Sequence, residues 1–250
     1  MFKGFYNLTS GMLSQNRRLD VVSNNMTNVS TAGYKADRYT DSTFQEFVMS
    51  RVGNKDKTSP QELGPSSYIL APSRIFTDYS QGAPEVTGLP LDFAISGQGF
   101  FAIQSNAGTG YTRAGSFSLD NEGYLCLPDE GRVLDTAGNP IQLGTDRIQA
   151  DAQGNIYQEE SGEFLGKLGV YTFADYEALE RNPRGLFEGG AAQPTDDAAI
   201  QWKAVERSNV DLVQQMVEML ASQRSLQSAA QLTKMYDQIM GKAANDLGSV

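Results

Sequence analysis

Residues 5–29, FYNLTSGMLSQNRRLDVVSNNMTNV, decide the fold. Phe5, Leu8, Met12, Leu19, Val22, Met26 and Val29 recur at spacings of three and four, with only Gln15 intruding, so one side of a helix is apolar along its length. A helix from about Lys3 to about Met26 measures about 36 Å at the helical rise per residue. It ends in Ser23-Asn24-Asn25-Met26-Thr27-Asn28, because asparagine tolerates the left-handed backbone that closes helices. Gly33 then supplies a turn ahead of Tyr34-Lys35. No neighbouring helical pattern stands ready to cover the stripe, which favours packing against other molecules.

Helical periodicity returns at the C-terminal end. Ser208-Asn209 offers an N-cap, and Asp211 suits the positive end of the helix. Val213, Met216, Val217 and Leu220 form a broad apolar face that thins beyond Gln223 and Arg224 and runs to about Ala244. Between the helices the pattern changes twice. From about Tyr34 to Val86 the chain is polar and broken by Gly53, Pro60, Gly64, Pro65 and Pro72, as in a linker or arm. Thr43–Val52 reads as a short helix there, and Tyr68–Ala71 and Arg74–Tyr79 as extended pieces.

Residues 88–200 then carry short β-branched and aromatic runs: Leu91–Ser96, Gly99–Gln104, Ser116–Leu119, Gly123–Leu127, Arg132–Leu134, Arg147–Asp151, Asn155–Gln158 and Lys167–Phe173. Asn121-Glu122-Gly123, Ala137-Gly138-Asn139-Pro140 and Gln153-Gly154-Asn155 separate them as turns, so an antiparallel sheet system is expected. One short helix is expected over Ala174–Arg181, and Gly189–Asp197 is of low complexity. The fold class is therefore mixed α and β, with long, coiled-coil-like terminal helices flanking a mainly antiparallel β-domain. The expected divisions are an N-terminal helix and Asn-rich motif (1–35), an extended arm (36–87), the β-domain (88–200) and a C-terminal helix (201–250).

Composition removes several classes of chemistry. Histidine is absent, and with it the commonest general base and metal ligand. Cys126 is the only cysteine and sits in the apolar run Tyr124–Leu127, so it reads as a small strand residue. The net charge of −10 argues against nucleic acid. Its distribution is uneven: residues 1–29 carry +2, residues 206–250 carry −1, and the middle carries −11. Helices near neutrality suit close packing with copies of themselves. No cleavable leader and no membrane-spanning run is apparent, which by itself implies the cytoplasm.

Two motifs point elsewhere and fail on context. Gly97-Gln98-Gly99-Phe100-Phe101-Ala102 matches a dinucleotide fingerprint, but a strand rather than a helix follows it, so it reads as a tight turn. Asp129-Glu130 and Glu159-Glu160-Glu163 are the acidic clusters from which a cell-wall glycan hydrolase or binding protein would be built. Such an enzyme needs two carboxyls facing each other across a cleft, which neighbours in a polar turn seldom provide. A closed oligomeric adaptor is a third reading. No catalytic residue, metal ligand or cofactor is assigned.

Four segments resemble the flagellar basal-body rod and hook protein family. Ser23–Lys35 is similar to its Asn-rich signature, with Asn24, Asn25, Asn28, Gly33 and Tyr34 in place and Thr27 where Ala is more usual. Leu91–Phe101 and Tyr111–Phe117 resemble its middle-domain motifs. Val205–Asp211, containing Ser208, Asn209 and Val210, resembles its C-terminal signature. Two departures stand out: Lys203 lies where the family commonly has Gly, and Leu226-Gln227 replaces a usual Tyr-Glu. A single β-domain is similar to the larger rod proteins, proximal or distal.

The resemblance implies a structural subunit, exported without cleavage through the flagellar type III apparatus into the basal body, which replaces the cytoplasmic expectation. It further implies a chain that partners with itself and with other rod and hook subunits, not with nucleic acid. Its terminal helices, poorly ordered in the free monomer, would fold on joining a torque-transmitting axial tube. Phe5, Leu8, Met12, Leu19, Val22 and Met26 would then pack with Val213, Met216, Val217 and Leu220.

Overall fold

Two helices, α1 (Phe2–Thr27) and α2 (Leu212–Gly248), bracket a chain whose remaining regular structure, among the described residues, is all strand. The computed structural model describes residues 2–44, 47–51, 61–66, 69–105, 108–195 and 198–248. They fall into two compact units, one of residues 1–27, 37–76 and 211–250, the other of 28–36 and 77–210.

In the first unit α1 and α2 run antiparallel. Asn25 near the end of α1 meets Gln215 near the start of α2, Thr233 Oγ1 lies 3.9 Å from Met12 Sδ, and a Cβ on Gly4 would stand 2.5 Å from Tyr236 Oη. The first helix is thus covered from within the chain, contrary to the expectation that only another molecule would cover it. Its seam is partly polar: Ser14, Val21, Val22 and Asn25 are buried on α1, and Gln215 and Ser222 on α2. Strand Asp37–Phe44 lies beside α1, where Asp41 accepts from Ser14 Oγ and, at 3.0 Å, from Arg18 Nη2. It pairs with Ile69–Thr77, while Phe47–Arg51 pairs antiparallel with Gln61–Ser66. The stretch expected as a linker therefore carries five strands among its described residues, Pro84–Val86 being the fifth. The helix expected over Thr43–Val52 is replaced by two of them within the described residues; residues 45, 46 and 52 lie outside these.

α2 begins later than the Ser208-Asn209 cap implied. Asp211 caps it, its Oδ1 accepting from Val213 N at 2.9 Å and Gln214 N at 3.1 Å. Asn209 has another task, described below.

The second unit is the antiparallel β system expected. Its central strand, Phe100–Ser105, is buried on both faces. Phe101 and Ile103 join Phe93, Ile95, Leu125, Val133, Ile156 and Leu168 in the main core. Phe100 joins Phe173, Leu179 and Phe187 on the other side, ringed by Tyr79, Tyr111 and Tyr176. Alternation of side chains across a strand lets one segment serve two cores. The strand pairs with Gly108–Thr112, Gly131–Val133 and Val170–Phe173 within a nine-stranded sheet.

The run expected over Lys167–Phe173 is two strands, Phe164–Lys167 and Val170–Phe173. The helix expected over Ala174–Arg181 is absent: Tyr176 and Leu179 turn into the aromatic cluster, and Glu180–Arg181 pairs with Phe187–Glu188. Gly97-Gln98-Gly99 is a turn linking strands Phe93–Ser96 and Phe100–Ser105, which belong to different sheets.

One turn recurs four times, at 120–124, 135–139, 151–155 and 182–186. In each, the Oδ1 of Asp120, Asp135, Asp151 or Asn182 accepts the backbone N–H groups two and four residues on, at 2.8–3.0 Å. The fourth residue is Gly123, Gly138, Gly154 or Gly185, with φ between 81° and 88°, a backbone that glycine adopts without strain. The side-chain oxygen satisfies N–H groups that the ladder leaves unpaired at the hairpin tip.

Candidate functional site

The motif residues converge within each unit on a polar junction. In the first, Asn25 is 1% exposed and uses both ends of its amide: Nδ2 donates to Asp37 O at 2.8 Å and to Gln215 Oε1 at 3.2 Å, and Oδ1 accepts from Asp37 N at 2.9 Å. Asn24 is exposed, its carbonyl accepting from Thr27 Oγ1 at 2.9 Å. Asn25, rather than the run of asparagines, is the structural centre here.

In the second unit, residues 28–36 lie against the β system. Asn28 Oδ1 accepts from Thr31 Oγ1 at 3.1 Å and shapes the turn that follows α1. Gly33 then approaches so closely that a Cβ would stand 2.1 Å from Ala114 N, and its φ is +69°. Only glycine fits, and its N–H donates to Glu206 O at 2.7 Å. Tyr34 carries the Arg181 guanidinium 4.7 Å over its ring.

Lys35 points inward, 1% exposed. Its Nζ donates to Glu206 Oε1 and to Ser80 O, both at 2.6 Å. Glu206, also 1% exposed, accepts at Oε2 from Arg113 Nη1 at 3.1 Å and at Oε1 from Gly82 N at 2.8 Å. Arg113 spends Nη2 on Gly97 O at 2.8 Å and lies over the Phe100 ring. Burial pulls the Lys35 ammonium below its ordinary pKa; Glu206 pulls it up, Arg113 lowers it further and Asp78 opposes that. Two cations thus share one anion in the interior; Ser80 O, Gly82 N and Gly97 O add hydrogen bonds to the ion pairs, while Arg113 Nε is buried without a hydrogen-bond partner among the described residues.

Asn209 closes the junction. Its Oδ1 accepts from Ala36 N at 2.7 Å, and its Nδ2 donates to Asp78 O at 2.8 Å and Ser80 O at 3.1 Å. Ser208 Oγ accepts from Val210 N at 3.3 Å, and Val210 is half-buried. Lys203 adopts φ +59°, the left-handed backbone that explains why the family it resembles uses Gly there. It pays for this partly by laying its ammonium 4.1 Å over the Trp202 ring.

The residues expected to form an assembly seam are distributed unevenly. On α1, Val22 is buried, Leu8, Met12, Leu19 and Met26 are half-buried, and Phe5 is exposed. On α2, Val213, Met216, Val217 and Leu220 are 71, 47, 61 and 54% exposed. At about 100° per residue they lie roughly opposite Gln215, the residue that meets α1. Within the unit, α1 therefore pairs with a different face of α2. The acidic cluster Glu159, Glu160 and Glu163 is exposed, with Glu160 paired to Arg147 at 2.6 Å.

Lys35, Arg113 and Glu206 lie inside the motif segments Ser23–Lys35, Tyr111–Phe117 and Val205–Asp211, where local pattern does not single them out. Unlike charges in two motifs were the available signal, but their pairing across 171 residues is not written in either.

Comparison with known proteins decides the family. Residues 5–35 match the family described as flagella basal body rod protein, 94–158 the flagellar hook protein FlgE/F/G D1 domain, and 203–247 the flagellar basal body rod FlgEFG protein C-terminal. The chain is 33% identical to the flagellar basal-body rod protein FlgG of Bacillus subtilis, covering 98% of this chain and 99% of the relative. The chain belongs to the flagellar basal-body rod protein family. Other relatives of this rod-family chain are a flagellar basal-body rod protein FlgF of Mesorhizobium japonicum, 31% identical over 100% and 99% of the two chains, and the flagellar hook protein FlgE of Treponema pallidum. The latter is 36% identical over 52% of this chain and 28% of its own. The junction residues Lys35 and Glu206 fall inside the rod-family segments 5–35 and 203–247.

Proposed function

We propose that the chain is a structural subunit of the bacterial flagellar rod that polymerises through its terminal helices into an axial tube transmitting torque. The observation that carries this reading is the outward stripe Val213, Met216, Val217 and Leu220 on α2, in a chain whose full-length relatives are rod proteins. Apolar side chains in one row on a helix, left to solvent in the single chain, gain their burial from a neighbour. Copies of α1 supply the complementary apolar surface in a coiled-coil-like array, through exposed Phe5 and half-buried Leu8, Met12, Leu19 and Met26, while Val22 is already buried within the chain. A contact of unlike surfaces that does not close on itself propagates as a helix of subunits. The partners are then other copies, neighbouring rod and hook subunits and, before assembly, the flagellar type III export apparatus, which delivers the chain to the basal body without cleavage.

Replacing Val217 with Asp tests this. Val217 is 61% exposed, so the monomer should melt within about 0.5 kcal/mol of the parent. Sedimentation and electron microscopy should find it unable to enter rods. Normal rod formation and motility with Val217→Asp and Leu220→Asp together would refute the assembly face.

A further inference from the structure

Residues 28–36 reach the β unit with little apolar anchorage. Ala36 is their one buried hydrophobic side chain; Val29 and Tyr34 are half-buried. Polar contacts hold the segment instead: Gly33 N to Glu206 O, Lys35 Nζ to Glu206 and Ser80, Arg181 Nη2 to Lys35 O at 2.6 Å, Ala36 N to Asn209, and Asp78 N to Ala36 O at 2.7 Å. Among the described residues, Glu206 is the anion that both Lys35 and Arg113 touch, and each of the two cations is less than 5% exposed. The other charges facing Lys35 are Asp78, which acts on it electrostatically, and Arg181, at its carbonyl. Glu85 and Arg207 pair with each other at the exposed surface nearby in sequence.

We propose that Lys35, Glu206 and Arg113 form a latch closed by the charge on Glu206. Neutralising that carboxylate leaves two buried cations facing each other and frees residues 28–36 from the β unit while the β core stays folded. A buried pair broken on one side leaves an uncompensated charge, and in a segment with one buried hydrophobic side chain the remaining polar contacts do not offset that cost. Docked, the segment is fixed at Gly33, Lys35 and Ala36. Released, its nine residues become a loop whose two ends stay in the first unit, closed at the base by the Asn25–Asp37 hydrogen bonds. The latch lies wholly within residues 28–36 and 77–210 and does not rest on the rod reading.

Amide hydrogen exchange on the full chain near neutral pH tests it with Glu206→Gln and Arg113→Met. Glu206→Gln should speed exchange at Gly33 and Ala36 about a hundredfold and leave Phe101 and Ile103 unchanged. Arg113→Met, which keeps Lys35 paired with Glu206, should leave Gly33 and Ala36 protected. Parental protection of Gly33 and Ala36 in Glu206→Gln would overturn the latch. So would equal acceleration in both variants, core amides included, because that describes a scaffold contact. If Glu206→Gln does not fold, exchange in the parent is followed in rising urea below the global transition. Opening of Gly33 and Ala36 ahead of the core supports the latch, and simultaneous loss overturns it.

Discussion

Asn25 of α1 and Gln215 of α2, 190 positions apart, meet side chain to side chain, Nδ2 donating to Oε1 at 3.2 Å in a buried seam. The same amide takes both backbone groups of Asp37, as a strand partner would. One residue thereby fixes α1, the following strand and α2 to one another.

Replacing Asn25 with Leu keeps the branching of the side chain but removes the bonds that Asn25 makes with Asp37 N, Asp37 O and Gln215 Oε1. The expected cost is about 2–4 kcal/mol, read from urea denaturation followed by helical circular dichroism. An unchanged midpoint would show that water takes over these bonds without penalty.

Gly33→Ala meets both a left-handed backbone and a peptide nitrogen 2.1 Å from the new Cβ. We expect a loss of at least about 2 kcal/mol and exposure of residues 28–36 to proteolysis. Gly138→Ala, with a similar φ of 84° but nothing within 4 Å of its Cβ, isolates the conformational part and should cost only about 1 kcal/mol.

Lys203→Gly runs the other way. Relief of the left-handed strain at φ +59° outweighs the lost contact with Trp202, so the variant should gain about 0.5–1 kcal/mol and melt a few degrees higher. Lys203→Ala keeps the strain, drops the cation and should melt lower than the parent.

The repeated turn gives a pH prediction. Burial alone would raise the Asp151 carboxyl, but the Asn155 side chain, the backbone N–H groups of Asn155 and Gln153, and Lys167 together hold it below the ordinary value of 3.8. Its stabilising effect is therefore complete above the ordinary aspartate range and disappears as pH falls through the lower folded value. Asp151→Ala should cost about 1–2 kcal/mol at neutral pH, and its stability curve should converge on the parent's in acid. A constant offset down to the lowest pH would mean that the carboxylate charge is irrelevant to the turn.

Much of the architecture is legible in local pattern. α1 runs from Phe2 to Thr27 where spacing gave about Lys3 to Met26, and Asn155–Gln158 is a strand as read. The turns at Gly123, Gly138 and Gly154 were visible because glycine beside Asp or Asn encodes its own geometry. Where reading failed, a distant partner overrode local preference. Phe47–Arg51 looked helical, yet Gln61–Ser66, a polar segment with Gly and Pro that no strand pattern flags, completes its ladder. Glu180–Arg181 was drawn out of a helix by Phe187–Glu188 and by burial of Leu179. Asn209, read as a cap, is claimed by Ala36, Asp78 and Ser80, which leaves capping to Asp211.

By itself the sequence determined two terminal helices, an antiparallel β system between them and the segments that carry the family likeness, because these rest on periodicity and turn chemistry within a few residues. Tertiary structure alone decided which face of α2 meets α1, that Val213, Met216, Val217 and Leu220 stay outside, and that Lys35 and Arg113 share Glu206. The reason is physical: helical period gives the width of an apolar stripe but not its partner, and a buried charge declares itself only when its counter-charge, here 171 residues away, is placed beside it.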